Sequence, residues 1–355
     1  MKELIINQEN QEVASRINDG FALLNLARDW LKQGNPVVAM ELLVPAIDSP
    51  QASRDKELRA QILKETGRAW MMQSDWDKAA FNYREAQQIF IELENPGGAA
   101  QCARNRANML FQQGNYRESE HLCQTALEWV SEANDYQLRA TILNTLGAIQ
   151  SATGKLQESI NTFKLCLADF QSTGNLIRQG YVLLNIGLTQ TELGDTLAAT
   201  DSLNKALALA LEEKDLNLVE ICYQNIAKCY LENKEYRLAK SVLKTARKIL
   251  PGLSSKALEA ELGVLECKTL RLTGNLTESK KLLEETLQMT IEHKLSALEA
   301  DVLYEQGLLA KELGNSYEAI AKLDAAINVY RSVGMDKGLH DAVQALDHFK
   351  RGLSG

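Results

Sequence analysis

The stretch GNYRESEHLCQTALEW, residues 114–129, combines a glycine–asparagine turn with small residues at regular positions in the segment that follows. Gly114 suits the left-handed backbone conformation that ends a helix, and Asn115 is a preferred N-cap for the next helix. Glu118 lies three residues after the cap, as in a capping box. The stretch GNSYEAIAKLDAAINVY, residues 314–330, has the same layout. Both stretches therefore predict the end of one helix, a tight turn and the start of a second helix.

This layout recurs every 40 residues along the chain. Eight blocks align without a gap, and their first residues are Phe21, Gln61, Gln101, Thr141, Tyr181, Ile221, Glu261 and Asp301. The seventh, nineteenth and twenty-sixth positions carry small residues in all eight blocks. Small side chains at fixed positions are required where two helix backbones approach closely. We therefore expect each block to form a helix pair, and neighbouring pairs to stack because one pair cannot bury its own apolar face.

The pattern of these positions resembles that of the tetratricopeptide-repeat family. The long period is similar to that of the subgroup that includes Pins-type polarity adaptors, kinesin light chains and bacterial peptide-responsive regulators. The resemblance implies an all-α, right-handed superhelical solenoid of eight repeats with a C-terminal capping helix. Residues 1–20 would form an N-terminal lead-in that extends the first helix, residues 21–340 the eight repeats, and residues 341–355 the capping helix.

Composition and motifs argue against several classes of function. The net charge of −8 is unfavourable for general contact with nucleic-acid phosphates. Six cysteines occur without a C-x-x-C pair, and no two of the four histidines share a helix face at metal-ligand spacing. Phosphate-binding and nucleophile motifs are missing from the sequence, as are a signal peptide and a long apolar run. We therefore expect a cytoplasmic protein that is not an enzyme, with no metal, cofactor, nucleic-acid partner or membrane insertion.

The resemblance also implies a binding face. In this family the first helix of each repeat lines the inner side of the solenoid, and its inward positions correspond here to positions one, four, five, eight, eleven and twelve of each block. The residues predicted to line a peptide-binding groove are Asn25, Arg28, Lys64, Arg68, Arg104, Asn105, Asn108, Asn144, Tyr181, Leu184, Asn185, Leu188, Gln224, Asn225 and Lys228. In related adaptors a ladder of asparagines holds extended peptides by their main chain, because an amide can both donate and accept hydrogen bonds. The alternative is a solvated helix face.

The charges along this face suggest the chemistry of the ligand. Basic residues dominate the inward positions of the first three blocks, whereas the fourth and fifth blocks are less charged. Arg104 and Asn108 have a spacing that resembles half of the carboxylate clamp of chaperone-binding members. Thr145 and Tyr181 stand where the other half would need amide and cationic partners, so chaperone-tail binding is not predicted. The predicted ligand is a protein or peptide segment with acidic and apolar residues.

The sequence thus predicts a non-enzymatic protein-interaction scaffold. A second hypothesis is an allosteric regulator that senses a short signalling peptide or small ligand and controls a partner protein. A third is a structural homo-oligomer. A helical-repeat protein that reads RNA is disfavoured by the negative charge and by the lack of a recurring base-reading residue pair.

Overall fold

The computed structural model of the chain describes residues 19–131, 135–249 and 255–353. These residues form eighteen α-helices and no β-strand. They belong to two compact units: the N-terminal unit extends to Arg178, and the C-terminal unit begins at Gln179. The predicted lead-in, residues 1–20, lies outside the described residues except for Asp19 and Gly20.

Helices of similar length, separated by short turns, make up the N-terminal unit. They are α1 (Gly20–Lys32), α2 (Pro36–Ile47), α3 (Pro50–Arg54), α4 (Lys56–Met72), α5 (Trp76–Glu92), α6 (Pro96–Gln112), α7 (Tyr116–Ser131), α8 (Tyr136–Ala152) and α9 (Leu156–Ser172). The short helix α3 was not predicted. It begins because the Ser49 hydroxyl accepts a hydrogen bond from the Ala52 N–H and Pro50 occupies the first helical position.

The C-terminal unit continues the same alternation. Helix α10 (Leu176–Glu192) begins at the end of the N-terminal unit. The others are α11 (Thr196–Glu212), α12 (Leu216–Glu232), α13 (Tyr236–Ile249), α14 (Lys256–Leu272), α15 (Leu276–Glu292), α16 (Ser296–Glu312), α17 (Ser316–Val333) and α18 (Asp336–Leu353). The terminal helix starts before the predicted boundary at residue 341, because the left-handed Gly334 already ends the preceding helix.

One turn geometry separates most of these helices. After α1, the Gly34 N–H donates to the Leu31 carbonyl and the Asn35 N–H donates to the Trp30 carbonyl, as in a Schellman motif. Residues with positive φ recur at steps of 20 residues or a multiple of 20. They are Gly34, Ser74, Glu94, Gly114, Gly154, Gly174, Gly194, Lys214, Lys234, Gly274, Lys294, Gly314 and Gly334. The turns between blocks thus have the same geometry as the predicted turns within blocks.

The small residues at the seventh position lie where two paired helices approach. A Cβ atom added at Gly67 would lie 2.8 Å from the Tyr83 ring, and one at Gly147 would lie 2.7 Å from the Phe163 ring. In the same way, the nineteenth-position hydroxyl of Ser159 donates to the Gly147 carbonyl across the pair at 2.8 Å. The predicted close approach is therefore confirmed at these positions.

All six cysteines are buried free thiols. Burial raises the pKa of Cys166 to about 12 and has the same effect on Cys267. A thiol with so high a pKa carries almost no thiolate at neutral pH, so these cysteines act as core residues. Among the described helices, none has both the length and the apolar character that crossing a bilayer requires.

Candidate functional site

A cavity of about 520 Å³ opens on the first helices of the N-terminal unit. Its walls come from α4, α5, α6, the start of α8 and the first turn of α10. The lining residues are Lys64, Glu65, Arg68, Met71, Tyr83, Gln101, Arg104, Asn105, Asn108, Asp135, Gln137, Leu138, Thr141 and Arg178. Five residues from the predicted groove therefore surround one cavity: Lys64, Arg68, Arg104, Asn105 and Asn108.

Helical periodicity explains why these side chains converge. Lys64, Arg68 and Met71 are spaced at i, i+4 and i+7, so they share one face of α4. Gln101, Arg104 and Asn108 form a corresponding row on α6, and the 40-residue register sets the two rows side by side. The Lys64 ammonium donates to the side-chain amide oxygen of Gln101 at 2.7 Å and links the rows.

A single buried carboxylate neutralises part of the positive charge here. Glu65 is 7% exposed and pairs with Arg28 Nε at 3.3 Å, Lys64 Nζ at 3.8 Å and Arg68 Nη1 at 3.7 Å. Arg28 also donates to the Gln61 side-chain oxygen at 3.0 Å. Three cations therefore share one anion, and an excess of positive charge remains on the cavity wall.

Arg104 and Arg178 form no ion pair among the described residues, and the Asp135 carboxylate that also lines the cavity accepts from the Leu138 N–H as a helix cap. Arg104 donates from Nη1 to the Asn105 oxygen at 3.2 Å, while its buried Nε has no acceptor. Burial, followed by the charge of Arg178, lowers the pKa of the Arg104 guanidinium. The hydroxyl of Tyr83 is also buried without a partner. Because an unpaired buried polar atom is costly, this wall favours an anionic, hydrogen-bonding ligand.

The comparisons with known proteins support the repeat assignment. A family model described as "Tetratricopeptide repeat" matches residues 99–172, which include most of α6 and all of α7, α8 and α9. This part of the chain therefore matches the tetratricopeptide repeat. The chain is 28% identical over 142 residues to RNA polymerase II-associated protein 3 from Xenopus tropicalis. That match covers 38% of this chain and only 21% of the relative, so the chain matches about a fifth of the relative's length.

Two solved structures have a similar fold. The apo form of RapI superposes with a TM-score of 0.66 at 13% identity, covering 89% of this chain and 99% of RapI. A Rap protein complexed with Competence and Sporulation Factor has a TM-score of 0.55 at 14% identity, covering 94% of this chain and 98% of the Rap chain. At these identities the similarity concerns the fold alone. The predicted all-α tetratricopeptide-repeat fold is confirmed.

Three asparagines of the predicted ladder already form hydrogen bonds with residues of their own helices. The Asn25 oxygen accepts from Arg28 at 3.4 Å, and the Asn105 oxygen accepts from Arg104. The Asn225 amide donates to the Ile221 carbonyl of its own helix at 2.8 Å. A peptide main chain would have to replace these bonds. Asn144 and Asn185 are half-buried, and the ladder stays a prediction.

The predicted apolar stretch of the C-terminal unit lies mostly within its core. Leu184 is 5% exposed and belongs to the main apolar cluster, against which Tyr181 and Leu188 pack. Gln224 is 3% exposed. Stacking of adjacent repeats thus buries Leu184 and Gln224, and their place in a groove stays a prediction.

The first helices of the C-terminal unit carry an acidic, internally paired face. Arg271 is 8% exposed, and it donates to Glu305 at 2.9 Å and to Glu312 at 2.6 Å. The predicted site residue Lys228 pairs with Glu261 at 2.6 Å. The Tyr330 hydroxyl donates to Asp301 at 2.6 Å, although burial still raises the pKa of the Asp301 carboxyl. On this face Arg271 and Lys228 are thus already matched by carboxylates.

Among the cavity residues that the sequence did not predict, Arg178 and Tyr83 are the two that complete the polar wall. Arg178 occupies the thirty-eighth position of its block, where the other seven blocks have Leu five times and Gly twice. An arginine at a position that is otherwise Leu or Gly indicated that the position could have a role in binding. Arg178 lies one helical turn before Tyr181, which is the first inward position of the next block. Tyr83 occupies the twenty-third position of its block, on the second helix of the pair, and the direction of its hydroxyl could not be deduced from that position.

The described residues contain no group of three or more His, Cys, Asp or Glu side chains arranged to hold a metal ion.

Proposed function

We propose that this chain is a non-enzymatic protein-interaction module that binds an acidic peptide segment of a partner protein in the cavity of its N-terminal unit. The observation that carries the proposal is the unbalanced polar wall made by Arg104, Arg178 and the Tyr83 hydroxyl. Aspartate or glutamate side chains of a ligand would supply the acceptors that this wall lacks.

The size and surroundings of the cavity fit a peptide side chain better than a large ligand. Its volume of about 520 Å³ is at the small end of the range for binding pockets. Gln101, Asn105 and Asn108 lie on the same wall and offer amides to a peptide main chain. A Rap protein of similar fold was solved in complex with Competence and Sporulation Factor, and that precedent for ligand binding on this fold supports the proposal.

A selection from a random peptide library tests this function. Peptides retained by the wild-type chain are expected to be enriched in Asp and Glu. Their affinity should fall by about tenfold or more, or about 1.4 kcal/mol, when Arg104→Gln and Arg178→Leu are combined, because two charge-assisted hydrogen bonds are lost. Arg59→Ala removes an exposed arginine from the same helix as Arg68 but outside the cavity, so it serves as the matched control.

Two further measurements separate binding in the cavity from general attraction. The affinity of the wild-type chain should decrease with added salt, and the double variant should show a weaker salt dependence. Equal affinity of the selected peptides for the wild type and the double variant would contradict the proposal. Selected peptides that are not enriched in Asp and Glu would contradict it as well.

A further inference from the structure

Helix α13 differs in charge from the rest of this acidic protein. Between Tyr236 and Ile249 it carries five basic residues and no acidic residue. Its apolar residues Ala239, Leu243 and Ala246 are buried in the core of the C-terminal unit, so the basic residues face outward. Lys240 and Lys244 are exposed, and among the described residues neither has an ion-pair partner.

Beside these lysines lies an apolar notch of about 370 Å³ between α13, α14 and α15. Leu243, Leu270 and Leu282 line it. Arg247 closes one side and is held by a two-point pair with Glu266, at 3.1 Å from Nε and 3.0 Å from Nη2. The notch is therefore an apolar recess with a rim that is positive on balance.

A second notch lies at the corresponding position of the next repeat. The two notches share their position in the repeat but differ in the charges that surround them. Each of the eight residues lining the first notch has its counterpart, 40 positions later, among the residues lining a smaller cavity of about 210 Å³. There Lys280 and Lys322 are balanced by Glu284 and Glu318. Lys244 thus corresponds to Glu284, and the positive rim is particular to the notch beside α13.

We propose that this notch is a second docking site, which takes an acidic segment of a partner protein and buries one large apolar side chain of that segment between α13 and α15. Charge complementarity selects the acidic flanks, because the unpaired Lys240 and Lys244 stand on the rim. The apolar floor selects a side chain such as Phe or Leu, since burial of that surface supplies the favourable free energy. The site does not depend on the cavity of the N-terminal unit.

A membrane surface is a poorer occupant for this notch. A helix that lies in a bilayer interface inserts a continuous apolar face, whereas the apolar face of α13 is packed inside the protein. Its outward surface offers only Leu238 and Ile249 among charged and hydroxyl side chains. A narrow recess with a charged rim fits one anchoring side chain of a peptide instead.

A panel of short, acetylated and amidated synthetic peptides tests the proposal. Each peptide carries a fluorophore and a run of Asp and Glu around one central residue, which is Phe, Leu or Ala. Fluorescence anisotropy of the full chain should detect the Phe and Leu peptides and find the Ala peptide about tenfold weaker. Methyl NMR should show shifts at Leu270 and Leu282 when the Phe peptide is added.

Two variants of different kinds identify the notch as the site. Lys240→Glu combined with Lys244→Glu reverses the rim and should weaken binding about tenfold or more. Leu270→Tyr fills the recess without changing charge, as Tyr230 packs against the core at the equivalent position of the preceding repeat, and should also abolish the Phe preference. Lys280→Glu, in the corresponding notch, is the matched control and should bind as the wild type does.

The possible outcomes decide between the occupants. The notch variants and the Lys280→Glu control are compared in a chain that also carries Arg104→Gln and Arg178→Leu, so that the acidic peptides cannot use the N-terminal cavity. Loss of binding in both notch variants, with full binding by Lys280→Glu in that chain, supports the proposal. It is overturned if no peptide binds, if the Ala peptide binds as well as the Phe peptide, or if the notch variants bind normally. Binding only to vesicles of anionic lipid, or self-association of the chain that the notch variants abolish, would also overturn it.

Discussion

The second and eighth repeats place a glutamate at the same fifth position, yet they build opposite charge clusters around it. Glu65 is a buried anion shared by three cations, at distances of 3.3 to 3.8 Å. Glu305 is equally buried, but it joins Glu312 around a single buried cation, Arg271, at distances of 2.6 to 2.9 Å. The first cluster is loose and has positive charge to spare, whereas the second is tight and complete.

This difference separates a face suited to a ligand from one suited to stability. A buried charge that has all of its partners is compensated in the folded state, is costly to uncover and leaves nothing for a ligand. A wall with unmatched cations is costly in the free protein, and a bound anion relieves that cost. The same repeat geometry therefore supports both, and the residues at a few inward positions determine which one results.

The largest effect is expected from breaking the complete cluster. Glu305→Ala should lower the free energy of unfolding by about 3 kcal/mol, because it leaves the buried Arg271 with only the more exposed Glu312. Urea denaturation of the full chain, followed by circular dichroism, measures this. Glu261→Ala breaks the more exposed pair with Lys228 and should change stability by less than about 1 kcal/mol. Equal losses of stability in the two variants would show that the buried pair and the exposed pair contribute alike.

A smaller loss of stability, together with a gain in affinity for acidic peptides, is expected at the loose cluster. Glu65→Gln keeps the shape of the side chain but frees Arg28, Lys64 and Arg68 from their shared anion. Stability should fall by about 1 kcal/mol, while affinity for acidic peptides should rise several-fold because the excess positive charge grows. Titration of the selected peptides against both proteins measures the gain. Weaker binding by Glu65→Gln would mean that Glu65 itself orders the binding wall.

The turns provide a test in which the two units should behave alike. Ser74 and Lys234 adopt positive φ, which is strained for residues with a side chain. Ser74→Gly and Lys234→Gly should each stabilise the chain by up to about 1 kcal/mol, the relief of strain being partly offset by the greater freedom of glycine in the unfolded chain. Thermal unfolding compares them with Gly194→Ala, which should be destabilising. A loss of stability in either glycine variant would show that its side chain makes a compensating contact.

The smallest effect concerns pH. Burial, with a further contribution from Glu261, raises the pKa of the Glu220 carboxyl in the folded chain. The penalty for ionising it is absent below the ordinary pKa of glutamate, about 4.3, and develops as pH rises through the raised value. Glu220→Gln should therefore gain stability over wild type at neutral pH and lose that advantage in mild acid. Denaturation at several pH values measures this, and parallel curves for the two proteins would exclude the effect.

The fold was largely predictable because the same helix contacts and the same turns recur in each block. Small residues recur where helices meet, and a contact such as that of Gly67 with Tyr83 is required in every pair. The turns between blocks escaped detection because their left-handed positions hold residues such as Glu94 and Lys214, whose types do not signal a turn. Backbone geometry there is imposed by packing of the flanking helices and not by local preference.

The binding face was less predictable, since it depends on contacts between repeats. Inward position identified Lys64, Arg68 and Arg104, but position alone could not show that Glu65 binds two of them or that Leu184 is covered by the next repeat. Charge balance and burial at a face arise from the pairing of different blocks. The pattern of residue types at each position describes a single block and does not show which side chains of neighbouring blocks meet.

The uniform turns also have a consequence for how the chain is made. Within each unit the main contacts of a helix are with helices one to three places away along the sequence. Such local contacts can form in order as the chain leaves the ribosome, without waiting for a distant segment. At every stage the growing stack ends in one uncovered apolar edge. Helix α18 covers the edge left by α17, where Ala342 and Leu346 pack with Tyr330. Each repeat can thus fold soon after it has been made.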